Sequence, residues 1–83
     1  MVKAVIIEDD PMVAAINKKY LLKNESIEVV KAFSNGADAL TYLSNHPVDL
    51  VLLDVYMPQI SGIELLRTIR KERIPVDVIM ITA

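Results

Sequence analysis

Three short, uninterrupted apolar runs constrain this chain more than anything else in it: Ala4-Val5-Ile6-Ile7, Leu50-Val51-Leu52-Leu53 and Val78-Ile79-Met80-Ile81. Runs of this length without polar alternation are what parallel strands buried on both faces present. Helical periodicity fills the stretches between them. Asp10-Pro11 opens the first helix, with Asp10 as capping acceptor and Pro11 at the first helical position. Val13, Ile16 and Tyr20 fall on one face of it, Lys18, Lys19 and Lys23 on the solvent side, and Asn24-Glu25 is expected to end it. Residues 27–33 read as a second strand, interrupted by Glu28 and Lys31 and therefore placed at a sheet edge. Ser34 is the expected cap of a second helix, which carries Ala39, Leu40 and Leu43 and stops before His46-Pro47. After the third strand, a loop with Pro58 and Gly62 leads to a third helix. Its spacing puts Ile63, Leu66 and Ile69 inward and Arg67, Arg70 and Lys71 outward, and Pro75 starts the fourth strand.

Strands alternating with helices imply right-handed crossovers and a parallel sheet, an α/β fold of the doubly wound kind. With the polar second strand at an edge, the strand order is 2-1-3-4. The fourth strand is as apolar as the first and third, so it is expected to be central and covered on both faces. Nothing after Ala83 could pair with it, so residues 1–83 are expected to be the N-terminal part of a single longer domain, with a fifth strand and the last helices missing.

Composition removes several function classes. A 53% hydrophobic content argues for a packed core, and no apolar run approaches the roughly 20 residues of a membrane span. The absence of cysteine excludes disulfides and thiolate metal sites, which fits a cytoplasmic protein. A net charge of −2 with interspersed signs gives no electrostatic reason to bind nucleic acid or anionic lipid, so any contact with DNA needs another segment.

In an open parallel sheet, ligands bind at the carboxyl ends of the strands, where strand order reverses. Those ends carry Glu8, Asp9 and Asp10 after strand one, Asp54 after strand three and Thr82 after strand four. Strands one and three flank the reversal, so their acidic groups are expected to crowd together. Crowded carboxylates repel unless a cation is present, and Mg²⁺ uses one or two carboxylates and completes its shell with phosphate oxygens. Helix capping accounts for Asp10 but poorly for Glu8 and Asp9, which precede the cap. A turn-forming aspartate after a strand would account for Asp54 taken singly. Beside the triplet on the neighbouring strand, a Mg²⁺ site handling phosphoryl groups is the better reading.

Four motifs in order, residues 5–10, residues 49–58, Ser61-Gly62 and residues 79–83, resemble two-component response-regulator receivers over the whole chain. The resemblance implies a flavodoxin-like fold and a phosphorylation-controlled module in a signalling system, catalysing only its own phosphorylation and hydrolysis. By position, Asp54 resembles the phospho-acceptor that takes the phosphoryl group of a sensor histidine kinase. Asp9 resembles the direct Mg²⁺ ligand with Glu8 beside it through water, Tyr56 would lend its backbone carbonyl to the metal, and Thr82 resembles the switch hydroxyl. Met57, Pro58 and Gly62 resemble residues that shape the loop after Asp54, and Asp10 stays a helix cap. Residues 8–13 also resemble the branch of the family paired with citrate and dicarboxylate sensor kinases. By the same resemblance, helix one, with Ile16 and Tyr20, would meet the kinase. DNA would be reached only through an output domain outside this chain.

The family also uses a lysine at the end of a fifth strand. No lysine in this sequence stands at a strand carboxyl end. A hydrolase with an aspartyl nucleophile, of the haloacid-dehalogenase kind, is a second reading, but it needs a second aspartate where Tyr56 stands. A purely structural fragment is a third. His46 reads as a surface residue, and the exposed, apolar fourth strand is expected to drive self-association.

Overall fold

In the computed structural model, which describes residues 1–82, each apolar run is a strand and each periodic stretch a helix. The elements are β1 (Val2–Ile7), α1 (Pro11–Leu21), β2 (Ile27–Phe33), α2 (Gly36–Asn45), β3 (Leu50–Asp54), α3 (Gly62–Lys71) and β4 (Asp77–Ile81). All strand pairs are parallel and the order is β2-β1-β3-β4, as the sequence predicts. The path β1-α1-β2 runs one way across the sheet and the later units run the other. With right-handed crossovers, α1 therefore covers one face while α2 and α3 share the opposite one.

Alternate strand residues serve the two faces. Val5, Ile7, Val51 and Leu53 meet Ala39 and Leu43 of α2 and Leu65 and Ile69 of α3 in the main core. Ala4 and Ile6, fully buried, belong to the face under α1. β4 stands last in the predicted order and is the sheet edge among the described residues, with Ile79, level with Leu52 on the α1 face, 50% exposed because α1 rests on β1 and β2, two strands away.

Helix faces and ends also differ from expectation. On α1, Val13, Ala14, Asn17 and Leu21 are the half-buried positions, while Ile16 and Tyr20 are 51% and 65% exposed. On α3, Leu65 is buried where Ile63 was expected, and Ile63 is exposed. Helical spacing fixes a stripe only to within a residue or so. Small and polar residues such as Ala14 and Asn17 can occupy its centre when a sheet lies close. Helix α1 ends at Leu21, earlier than predicted, through tightened bonds from Lys23 N–H to the Tyr20 carbonyl (3.2 Å) and Asn24 N–H to the Leu21 carbonyl (3.1 Å). Asn35, not Ser34, caps α2: its side chain accepts the Asp38 N–H at 2.9 Å and donates to the Asp38 carboxylate at 3.0 Å. His46 is exposed and stacks on Tyr42 at 4.0 Å.

Helix α3 closes on a left-handed residue. Arg73 has φ of 57°, its N–H bonds the Arg70 carbonyl and the Ile74 N–H reaches back to the Ile69 carbonyl, both at 3.1 Å. This is the Schellman arrangement, in which glycine usually takes the left-handed place. The β-carbon of arginine costs energy there that glycine would avoid, partly offset by the greater freedom of glycine in the unfolded chain. Arg73→Gly is expected to stabilise the fold by about 0.5 kcal/mol, a rise of a few degrees in Tm, while Arg73→Ala changes little. A Tm for Arg73→Gly at or below the parent value would contradict this account of the helix end.

Candidate functional site

The register of β1 on β3 sets Ile6 level with Leu52 and Ile7 level with Leu53. Continuing one residue brings Glu8 level with Asp54, both on the α1 face of the sheet. The ligand oxygens of Glu8, Asp9 and Asp54 lie within 4.8 Å of one another, so the predicted convergence is present. Asp10 stands apart from this group. Its carboxylate accepts the Met12 and Val13 N–H groups at 2.9 and 3.4 Å and caps α1, as predicted.

The three carboxylates sit in different surroundings. Asp9 is exposed, Asp54 half-buried and Glu8 only 7% exposed. Two of them are held by amides two residues downstream: Glu8 Oε2 accepts the Asp10 N–H at 3.2 Å, and Asp54 Oδ1 accepts the Tyr56 N–H at 3.1 Å. Burial pushes the Glu8 carboxyl up to about 7. The Asp10 amide opposes that shift, while hydrogen bonding with Asp54 and Asp9 and the charge of Asp54 add to it. A carboxyl whose proton is favoured first by burial and then by neighbouring carboxylates marks a site short of positive charge. Hard oxygen donors at this spacing fit a hard divalent cation such as Mg²⁺.

Thr82 is exposed and follows Ile81, whose register partner is Asp54, so the sheet brings it to the same end. Tyr56 is also exposed, with only its amide engaged with Asp54. The loop from Asp54 to α3 is fixed by its backbone. Gln59, φ 72°, is the middle of a tight turn closed by the Ile60 N–H on the Pro58 carbonyl at 2.8 Å. The Gly62 N–H bonds the Val55 carbonyl at 2.9 Å. A β-carbon on Gly62 would overlap the Asp54 carbonyl oxygen and lie 2.9 Å from Val55 Cα, so only glycine fits there. The sequence marked Gly62 as a shape residue without revealing what it touches. It gave no sign of the two amides on Glu8 and Asp54, since backbone donors leave no trace in residue type.

The sequence model of the response regulator receiver domain matches residues 4–83. The chain is 43% identical over 83 residues to the transcriptional regulatory protein MalR of Bacillus subtilis, covering 100% of this chain and 35% of that protein. It is 41% identical over 81 residues to the probable C4-dicarboxylate response regulator DctR of Bacillus subtilis, covering 98% of this chain and 36% of that protein. The chain thus spans about a third of the length of these curated relatives. Among solved structures it is similar to the response regulator TrrA from Thermotoga maritima in complex with Mg²⁺ and a beryllium fluoride. That likeness has a TM-score of 0.89 at 35% identity, over 100% of this chain and 70% of the other. It is similar too to the structure of histidine kinase ThkA in complex with TrrA, with a TM-score of 0.86 at 35% identity over the same shares.

Glu8 generates a pH dependence with a definite sign. An unfolded glutamate releases its proton near 4.5, whereas folded Glu8 keeps it up to about 7. Without divalent cations, the stabilisation from this proton is complete below pH 4.5 and is lost as pH rises to about 7. Glu8→Gln is expected to flatten the dependence, measured by urea unfolding in a chelator at several pH values. An unchanged slope in the variant would rule Glu8 out as its source.

Proposed function

The chain belongs to the response regulator receiver domain family, and from that membership we propose that Asp54 accepts a phosphoryl group from a sensor histidine kinase. The observation that carries this reading is the convergence of Glu8, Asp9 and Asp54 where β1 and β3 end. In the transfer, an Asp54 oxygen forms the new O–P bond as the N–P bond of the phosphohistidine breaks, and the imidazole released takes up a proton. The Tyr56 amide holds Asp54 Oδ1, which leaves Oδ2 to attack. Asp9, Asp54 and the Tyr56 backbone carbonyl would hold Mg²⁺, with Glu8 acting through water. When bound, the ion supplies positive charge against the carboxylates and the incoming phosphoryl oxygens. Thr82, one residue past the partner of Asp54, is the switch hydroxyl of this proposal.

Exposed Met12, Ile16 and Tyr20 on α1 give the kinase an apolar surface beside the acidic site, and the TrrA complex with ThkA supports a kinase partner. The similarity to MalR supports control of transcription through an output domain that touches DNA. The similarity to DctR supports placement in the citrate and dicarboxylate branch. Residues 1–83 would form the N-terminal part of a receiver domain, in keeping with the 70% of the TrrA chain that the likeness spans. No helix among the described residues is long and apolar enough to cross a membrane, and a cytoplasmic setting belongs to the same proposal. Turnover catalysis on a substrate is disfavoured by Tyr56 standing where an acid/base aspartate would be needed.

With an acyl phosphate and Mg²⁺, one phosphoryl group is expected on Asp54, mapped by peptide mass spectrometry. It should be absent in Asp54→Asn and slower by about tenfold or more in Asp9→Asn. Label persisting in Asp54→Asn would sink the assignment of the acceptor.

The edge of β4, with Ile79 half exposed, also offers unpaired strand groups to a second copy of the chain. Residues 1–83 alone are expected to associate at micromolar concentration, and Ile79→Lys to reduce that association. Sedimentation as a monomer by the parent chain would refute this edge as a contact.

A further inference from the structure

Asp10 is anchored at two points that serve different parts of the molecule. Its side chain holds the first turn of α1 through the Met12 and Val13 amides. Its own N–H donates to Glu8 Oε2 at 3.2 Å. Its backbone is extended, with φ −88° and ψ 112°, the conformation required of a residue that caps a helix and precedes proline. Pro11 has no N–H, so the cap's hold falls on the two amides that follow. The direction of the Asp10 amide is thereby set by the helix it caps. Glu8 is buried, so this amide is a rare partner for a carboxylate that water scarcely reaches.

We propose that Asp10 is a positioning residue for the divalent-cation site: by capping α1 it fixes the amide that orients the carboxylate of buried Glu8. The proposal rests on the reading of Glu8, Asp9 and Asp54 as that site and adds a residue outside the metal's reach. The charge of Asp10 plays no part in it; the cap does.

The test compares Mg²⁺ binding, by calorimetric titration of the full chain, in the parent, Asp10→Ala, Asp10→Asn and Asn35→Ala. Titrations are run where thermal unfolding shows all four folded. Asn35 caps α2 on the opposite face of the sheet, so Asn35→Ala supplies a lost cap with no link to the carboxylates. Asp10→Ala is expected to weaken Mg²⁺ about fivefold or more, while Asp10→Asn, which keeps the cap acceptor, stays within about twofold. Asn35→Ala should lower Tm and leave Mg²⁺ affinity unchanged. If the alanine variant is too unstable to titrate, Asp10→Ser, a shorter cap, is compared with the parent instead and should keep most of its affinity. Unchanged affinity in Asp10→Ala would overturn the proposal. So would equal losses in Asp10→Asn, which would point to charge, or in Asn35→Ala, which would point to general loosening. Absence of Mg²⁺ binding in the parent would overturn the metal reading itself and this inference with it, an outcome distinct from selective failure in one variant.

Discussion

The parallel pairing of β1 with β3, Ile7 level with Leu53, is the constraint on which the rest depends. The apolar runs at residues 4–7 and 50–53 are each followed at once by an acidic residue, so pairing the strands in this register stacks like charges at one end of the sheet. The fold cannot separate them without moving Ile6, Ile7, Val51 and Leu53, all of them fully buried, the last three within the main core. Electrostatic strain at the carboxyl end is therefore held in place by hydrophobic burial along the strands. A cluster of carboxylates that would disperse on a surface loop is kept together here, at a spacing that fits a hard divalent cation.

Around that cluster the backbone does much of the holding. Amides from Asp10 and Tyr56 each reach back to a carboxylate, and Gly62 seats the start of α3 against the carbonyl of Asp54. The site is thus framed by α1 on one side and α3 on the other, and the side chains with chemistry to perform are spared most of the structural work.

Much of this was legible in the residues. The apolar runs gave the strands, the charges in β2 gave the edge, and the alternation of elements gave the order β2-β1-β3-β4. The meeting of Glu8, Asp9 and Asp54 followed from that topology alone. Less legible were the rotations of α1 and α3 about their axes. Ile16 and Ile63 looked inward by spacing, yet Ala14, Asn17 and Leu65 take those places, because the distance of a helix from its sheet decides how large the inward residue can be. The choice of Asn35 over Ser34 as a cap depended on a reciprocal bond with Asp38 that either residue type could have suggested. Burial of Glu8 could not be seen at all. It arises from its place on the α1 face, and an acidic triplet reads as solvent-exposed until a sheet is built around it.

The contact between Gly62 and the Asp54 carbonyl bears on how such a chain can vary in length. Because α3 begins against the backbone of Asp54 itself, the connection between them is closed at both ends, and an inserted or deleted residue would have to lift the helix off the strand. The connection from β2 through α2 to β3 crosses on the other face and supplies none of the three carboxylates, so the loops on either side of α2 are less tied in length. Homologous chains should accordingly differ in length before β3 and agree in length just after it.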